Sequence, residues 1–288
     1  ANHQAPLRVT PMPLDHTGLV IGSGISGMVA AISLAEQGFE AHLVERSPEP
    51  GGHTTGIHYT LELKEPQAFF EELRARVKTD PRVHFYPESE VVEVSGHTGD
   101  FRSVVRSARG GEQEIRHGAI IIATGAKDYV PTEYLYGQHE RVITQKELQQ
   151  RLAEGKLGTP GTVVMIQCVG SRDEEHPYCS RTCCSEAISN ALAIKEKSPG
   201  TQVYILNRDI MTYGLREQFY TRAREAGVLF MRYHPDRKPQ VTARGDFLLV
   251  SNEDPALPGR LDIEADLVVL STGIVPGNNT ELARLLSA

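Results

Sequence analysis

The stretch GLVIGSGISGMVAAISLAEQGFEAHLVE, beginning at Gly18, restricts the fold more than any other part of the sequence. LVI reads as a short buried strand, Met28 to Gln37 as a helix closed by Gly38, and AHLVE as a second strand ending in Glu45. Between the first strand and the helix, Gly22, Gly24 and Gly27 stand at the G-x-G-x-x-G spacing, with Ser23, Ile25 and Ser26 filling the turn. Gly22 permits the tight turn, Gly24 lets the backbone approach a pyrophosphate, and Gly27 lets helix and strand pack closely. The helix N-terminus then offers free N–H groups and a favourable dipole to phosphates. Glu45, followed by Arg46, falls near the distance of about twenty residues at which a carboxylate accepts hydrogen bonds from a ribose. The motif with its flanking strands and acidic residue specifies a Rossmann-like α/β unit that binds a dinucleotide.

A chain of 288 residues is long enough for two such domains, each with its own core. The formal charge of −7 and the absence of a lysine/arginine tract argue against non-specific nucleic-acid binding. The apolar run from Leu19 to Ala35 is interrupted by glycines and serines and suits a strand–turn–helix better than a membrane span, so no integral membrane protein is expected. The opening ANHQAPLRVTPMPLD has neither the basic nor the apolar region of a signal peptide, and Pro6, Pro11 and Pro13 make residues 1–16 a linker. A cytoplasmic location follows from clustered cysteines without a secretory signal.

After Glu45 comes RSPEPGGH, with the pair Gly51–Gly52 and then His53; HGAIIIATGAKDYVP gives a buried strand ending in Ala123, Thr124 and Gly125. Both segments resemble the FAD domain of two-dinucleotide flavoproteins, in which a glycine pair and an ATG turn pass close to the cofactor. Between them the sequence predicts a helix from about Pro66 to Val77, strands, and a hairpin turning at Gly110–Gly111. In the family the backbone near Val92 flanks the adenine. Residues 17–154 are accordingly expected to form an FAD-binding domain.

All four cysteines lie between Cys168 and Cys184, in CVGSRDEEHPYCSRTCC. A whole inventory gathered in one segment suggests shared duty: a disulfide pair, a zinc site or an iron–sulfur cluster. Four thiolates satisfy either tetrahedral zinc or a 4Fe–4S cluster. The spacing is neither that of paired zinc knuckles nor that of a ferredoxin run. In the second domain, residues 155–275, GTVVMIQCVGSR starts a new buried strand but no second G-x-G-x-x-G follows. Cys168 stands at that strand's end, where a nucleotide loop would begin. SEAISNALAIKEKSPG, TQVYILNRDI, LREQFYTRAREAG and VLFMRY then alternate as helix and strand, and LDIEADLVVLSTGIVP ends in a second TG turn at Thr272 and Gly273.

VVMIQCVGSRDEEHPYCSRTCCSEAI, followed by YILNRDIMTYG, resembles the A-type flavoprotein subunit of heterodisulfide reductases. The likeness covers nearly the whole chain. It implies two thioredoxin-reductase-like three-layer domains binding FAD and a 4Fe–4S cluster. By position the cluster ligands would be Cys168, Cys179, Cys183 and Cys184. The implied function is an oxidoreductase relaying electrons between the two cofactors, within an oligomeric complex of other iron–sulfur or heterodisulfide-reductase-like subunits. Two rival readings are a zinc-stabilised nucleotide-fold scaffold and a pyridine-nucleotide:disulfide reductase using Cys183 and Cys184. Flavoproteins of this plan return to the FAD domain after the second TG turn. Here residues 276–288 read as the start of such a return, with the rest missing, as in a fragment. Ser189 stands where many relatives carry a lysine near the flavin, which removes a cation that would stabilise a reduced ring.

Overall fold

The computed structural model describes residues 14–286 apart from residue 63, so most of the expected linker lies outside the described residues. The chain divides into two compact units. The first holds the described residues up to 55 together with 69–125 and those from 277 onward; the second holds 56–68 and 126–276.

In the first unit, β1 (Gly18–Ile21), α1 (Ile25–Glu36) and β2 (Ala41–Val44) form the unit that the glycine spacing predicts. Helix α1 starts three residues before Met28, because Gly24 is its N-cap and Ser26 and Gly27 already lie in the first turn. After α2 (Gln67–Thr79) comes β3 (Val83–Tyr86), followed by β4 (Ser89–His97), β5 (Asp100–Ser107), β6 (Glu112–His117) and β7 (Ala119–Ile122). The order β3-β2-β1-β7 is parallel throughout, with β1 pairing to β2 on one side and β7 on the other. Strands β4, β5 and β6 form a separate antiparallel sheet. Val20, Leu43, Met28, Ala31 and Leu73 fill the core between the parallel sheet and its helices. Each such fully buried Leu, Val or Met contributes roughly 1.5–3 kcal/mol. The final helix, Thr280–Leu285, rejoins this unit, placing Leu282 against Leu19, Ile21 and Val44.

One core-edge residue of this unit makes stability pH-dependent. His42 on β2 stacks on His84 with ring centroids 4.8 Å apart, and its Nδ1 lies 2.9 Å from the Tyr86 hydroxyl. Burial, then repulsion from His84 and His117, pushes its pKa down to about 4. A base depressed in the fold gives stability that is full above the unfolded value near 6.5 and is lost as pH falls towards about 4. His42→Gln is therefore expected to flatten the fall in urea midpoint between about pH 6.5 and about pH 5, and an unchanged slope would refute this assignment.

In the second unit, β8 (Ala126–Asp128) is followed by β9 (Val142–Thr144), α3 (Gln145–Ala153), β10 (Thr162–Val169), α4 (Cys183–Lys197) and β11 (Gln202–Asn207). Helix α5 (Glu217–Glu225) leads to β12 (Val228–Arg232), β13 (Gln240–Arg244), β14 (Phe247–Asn252), β15 (Leu261–Ala265), β16 (Leu267–Thr272) and β17 (Ile274–Pro276). Here too the main sheet is parallel, in the order β12-β11-β10-β16-β9, beside an antiparallel sheet β13-β14-β15 and the pair β17-β8. Strand β9 pairs with β16, so residues 126–154, grouped with the first domain on sequence, belong to the second unit by their contacts. The run LDIEADLVVLSTGIVP forms the three strands β15, β16 and β17. Asp266 breaks the first from the second, its carboxylate accepting from the Gly161 and Thr162 N–H groups at 2.8 and 2.9 Å. The buried face of α4 (Ala187, Ile188, Ala191, Ile194) packs on Val163, Met165, Val203 and Ile205 of the sheet. Among the described residues no helix is long and apolar enough to cross a membrane.

Candidate functional site

In the first unit the glycine loop closes in a way that leaves one face open. Gly22 has φ +99°, and a Cβ there would lie 2.4 Å from the Ala123 carbonyl oxygen. A Cβ on Gly27 would lie 1.8 Å from the Gly22 oxygen, so this contact tolerates no side chain. At Gly24 a Cβ would meet nothing within 4 Å. Gly24 caps α1 without a side-chain hydrogen bond, leaving the helix's first N–H groups for a ligand. Gly51 bridges to Gly24 and donates its N–H to the Ser23 carbonyl at 2.9 Å, which brings Gly51–Gly52 to the same loop. Ala123, Thr124 and Gly125 follow β7 and border it from the other side, with Gly125 at φ +66°.

Glu45 is tied to this loop. Its carboxylate accepts from the Ser23 N–H and hydroxyl at 2.7 and 2.8 Å and from the Ser47 N–H at 2.8 Å. Burial pulls the Glu45 pKa up, but these hydrogen bonds outweigh it and hold the group below its usual value. The carboxylate therefore stays ionised, with lone pairs left over for a ribose. Ile25, Ser26, Arg46 and His53 surround the loop at solvent-accessible positions, and Arg46 faces Glu90 at 3.9 Å. Val92 sits on β4 at a register shift between Val91 and Glu93, a bulge that leaves its backbone out of the ladder. The donor set and the open Gly24 face fit a dinucleotide.

In the second unit, β10 occupies the position in its sheet that β1 occupies in the first, and the cysteines gather at its end. Cys168, Cys179, Cys183 and Cys184 line one small, largely enclosed cavity together with Ser171, Arg172, Arg181, Asp209 and Met211. Cys168 lies in a bulge of β10 at φ +61°, and Arg172 and Arg181 have φ +59° and +62°. Three side-chain-bearing residues in the left-handed region within one loop mark a backbone held against its preference, as functional loops often are. Hydrogen bonds hold the loop: Ser171 Oγ and the Arg172 N–H donate to the Tyr178 carbonyl at 2.9 and 3.1 Å, and Ser180 Oγ accepts from the Ile274 N–H at 2.8 Å. Cys183 and Cys184 open helix α4, and the Cys183 thiol donates to the Thr272 carbonyl at 3.2 Å.

All four thiols are free, so no disulfide pair forms. Burial first, then the neighbouring Cys184, pushes the Cys183 thiol up to about 12. Burial pushes Cys184 up to about 11 despite a hydrogen bond from the Met211 backbone. Burial also raises Cys168, opposed by Arg172 and Arg208. A thiol held protonated is a poor nucleophile, and a bound metal would be what holds these sulfurs as thiolates. Among the described residues no three His, Cys, Asp or Glu groups converge where one ion could sit. Four thiols around one cavity are a donor set of the kind that zinc sites and iron–sulfur clusters both use.

Asp209 and Met211 escape a reading of the sequence, because they come from the loop after β11 and reach the cavity only through the pairing of β11 with β10. The one signal for them is RDIMTYG, whose Tyr213, like the following Leu215, is exposed and outside the cavity lining. Ser189 is buried, and its hydroxyl donates to the Thr60 carbonyl at 2.9 Å.

Residues 16–166 match the family model described as pyridine nucleotide-disulphide oxidoreductase. Among curated relatives, the chain is 28% identical to the A subunit of the H(2):CoB-CoM heterodisulfide,ferredoxin reductase of Methanothermobacter marburgensis, over 97% of this chain and 56% of the relative. It is 29% identical to the iron-sulfur A subunit of the CoB--CoM heterodisulfide reductase of Methanocaldococcus jannaschii, over 95% of this chain and 56% of the relative. The chain thus spans about half the length of these relatives. The solved thioredoxin reductase of Lactococcus lactis aligns with a TM-score of 0.58 at 19% identity, over 95% of this chain and 80% of that one. That of T. acidophilum aligns at 0.57 and 15%, over 93% and 80%. These likenesses establish the expected thioredoxin-reductase-like two-dinucleotide-binding fold.

Proposed function

The chain belongs to the pyridine nucleotide-disulphide oxidoreductase family, and from that premise we propose that it is the electron-transfer core of a heterodisulfide-reductase-like complex. The first unit binds FAD and the second a 4Fe–4S cluster. The observation that carries this reading is the gathering of Cys168, Cys179, Cys183 and Cys184 around one cavity at the end of β10. The equivalent strand of the first unit, β1, ends in the dinucleotide loop instead. The Methanocaldococcus relative is named as an iron-sulfur subunit, which supports the same assignment.

Each part of the chain has a defined task in this reading. The Gly24 backbone and the bare N-terminus of α1 receive the pyrophosphate, Glu45 orients a ribose, and Gly51, Gly52, Ala123, Thr124 and Gly125 border the cofactor. The strained loop from Cys168 to Arg181 and the start of α4 present the four thiolates. FAD exchanges electrons in pairs and the cluster one at a time, so the chemistry belongs to the cofactors and the protein supplies binding and electrostatics. Other iron–sulfur or heterodisulfide-reductase-like subunits would supply and remove electrons, and four free thiols suit a reducing cytoplasm.

Metal, sulfide and flavin content of anaerobically purified protein tests the proposal. About four irons and four sulfides per chain are expected, with flavin alongside and bleaching by dithionite. Stoichiometric zinc without iron, under handling that preserves labile clusters, would overturn it in favour of a scaffold.

A further inference from the structure

The cysteine cavity carries an asymmetry of charge that the ligand assignment does not use. Arg172 is held by Asp209 in a two-pronged ion pair, Nη1 to Oδ1 at 2.7 Å and Nη2 to Oδ2 at 3.1 Å, and both residues line the cavity. Arg208, beside Asp209 in sequence, is different. One of its guanidinium nitrogens donates to the Arg172 carbonyl at 2.5 Å, and the group lies 5.9 Å from the centroid of the Tyr233 ring. The Tyr233 hydroxyl in turn donates to the carbonyl of Gln167, the residue before Cys168, at 2.7 Å. Arg208 Nε is buried with no hydrogen-bond partner, and among the described residues no carboxylate lies within 4.0 Å of the guanidinium.

We propose that Arg208 is a positioning charge for the cluster, a half-buried cation with no carboxylate partner that raises the potential at which the four-cysteine site accepts an electron. This rests on the cluster assignment above. Arg172 is paired with Asp209 whereas Arg208 has no carboxylate partner, so the two arginines and one carboxylate leave an excess of positive charge beside Cys168, on which both arginines act. Reduction adds a negative charge to a group already ringed by thiolates, and a fixed cation nearby favours the reduced form. Arginine keeps its proton throughout the accessible pH range, so the charge is permanent. Arg181 also lines the cavity but is exposed, where water and salt screen it.

The test is a redox titration of the intact purified chain, followed by electron paramagnetic resonance, with iron content measured on the same samples. Arg208→Gln is expected to shift the one-electron equilibrium about tenfold towards the oxidised cluster, a fall of about 59 mV in midpoint. Asp209→Asn, at a half-exposed position, is expected to shift it the other way by freeing Arg172. Opposite signs from neighbouring residues are not what a purely structural role would give. Four irons retained and an unmoved midpoint in both variants would overturn the inference while leaving the cluster assignment standing. A fall in Asp209→Asn would also overturn it. If Arg208→Gln does not assemble, the sign of the Asp209→Asn shift decides. Wild-type protein without iron would remove the cluster reading, and this inference with it.

Discussion

Gly27→Ala is expected to leave little folded protein. The added Cβ would sit 1.8 Å from the Gly22 carbonyl oxygen and 2.9 Å from its carbon, and both are backbone atoms that no rotamer change can move. Relief requires α1 to lift from the loop, which opens the contacts of Met28, Ala31 and Ile32 with the sheet. A buried backbone clash coupled to core loss belongs among the most damaging substitutions, above about 3 kcal/mol. Gly24→Ala is the control three residues away. Its Cβ would enter open space, and φ at Gly24 is −62°, so no strain arises. Stability should change by less than about 0.5 kcal/mol. Flavin retention should nevertheless fall at least about tenfold, because the methyl group occupies the face through which the backbone approaches a pyrophosphate. Urea unfolding and flavin absorbance of the two variants check this pair. A Gly27→Ala protein with a wild-type midpoint would refute the close packing, and a Gly24→Ala protein with full flavin would refute the binding face.

The contrast also shows why this half of the molecule is legible in the sequence. The β1–α1–β2 unit depends on neighbours in the chain, so spacing alone announces which glycine must be bare and why. What spacing cannot announce is pairing between distant segments. Tyr59, in a stretch without a clear period, donates its hydroxyl to Asn190 at 2.6 Å, and Gln149 donates to the Tyr59 carbonyl at 3.2 Å. These bonds bring residues 56–68 into the second unit, although both neighbours in sequence belong mainly to the first. QVTARGDFLLVSN alternates only in part, so it does not announce the antiparallel strands β13 and β14, whose hairpin turns on Gly245 at φ +54°. The cysteine cavity lies between these cases. The four thiols are close in sequence and can be grouped, whereas Asp209 and Met211 arrive through the order of the parallel sheet, which depends on burial of both faces rather than on any local motif.

On the proposed cluster assignment, replacing Cys183 or Cys184 by alanine is expected to take iron from about four per chain to near zero. Both positions open α4 and are buried, at 7% and 6% exposure, so no water or mobile side chain can readily take over the vacated corner. The fold should survive, because alanine keeps the small apolar packing and each variant removes one hydrogen bond, that from Cys183 to the Thr272 carbonyl or that from the Met211 backbone to Cys184. The loss there is about 1 kcal/mol. Cys168→Ala adds a second effect, since its φ of +61° is unfavourable for alanine as well and the bulge in β10 loses its anchor on the cavity side. Cys179 is the informative case. It lies half-buried in the loop, where His176 is also found, with a buried Nδ1 that lacks a hydrogen-bond partner and an Asp173 carboxylate oxygen 3.6 Å away. If Cys179→Ala alone kept its iron, the fourth corner would belong to a group such as His176, and Cys179→Ala with His176→Gln would then be needed to empty the site. If all four single variants lose iron equally while their urea midpoints stay within about 2 kcal/mol of wild type, the thiols act as one ligand set. Equal iron in wild type and variants would instead mean that the metal sits elsewhere, and the cavity would hold nothing more than buried thiols.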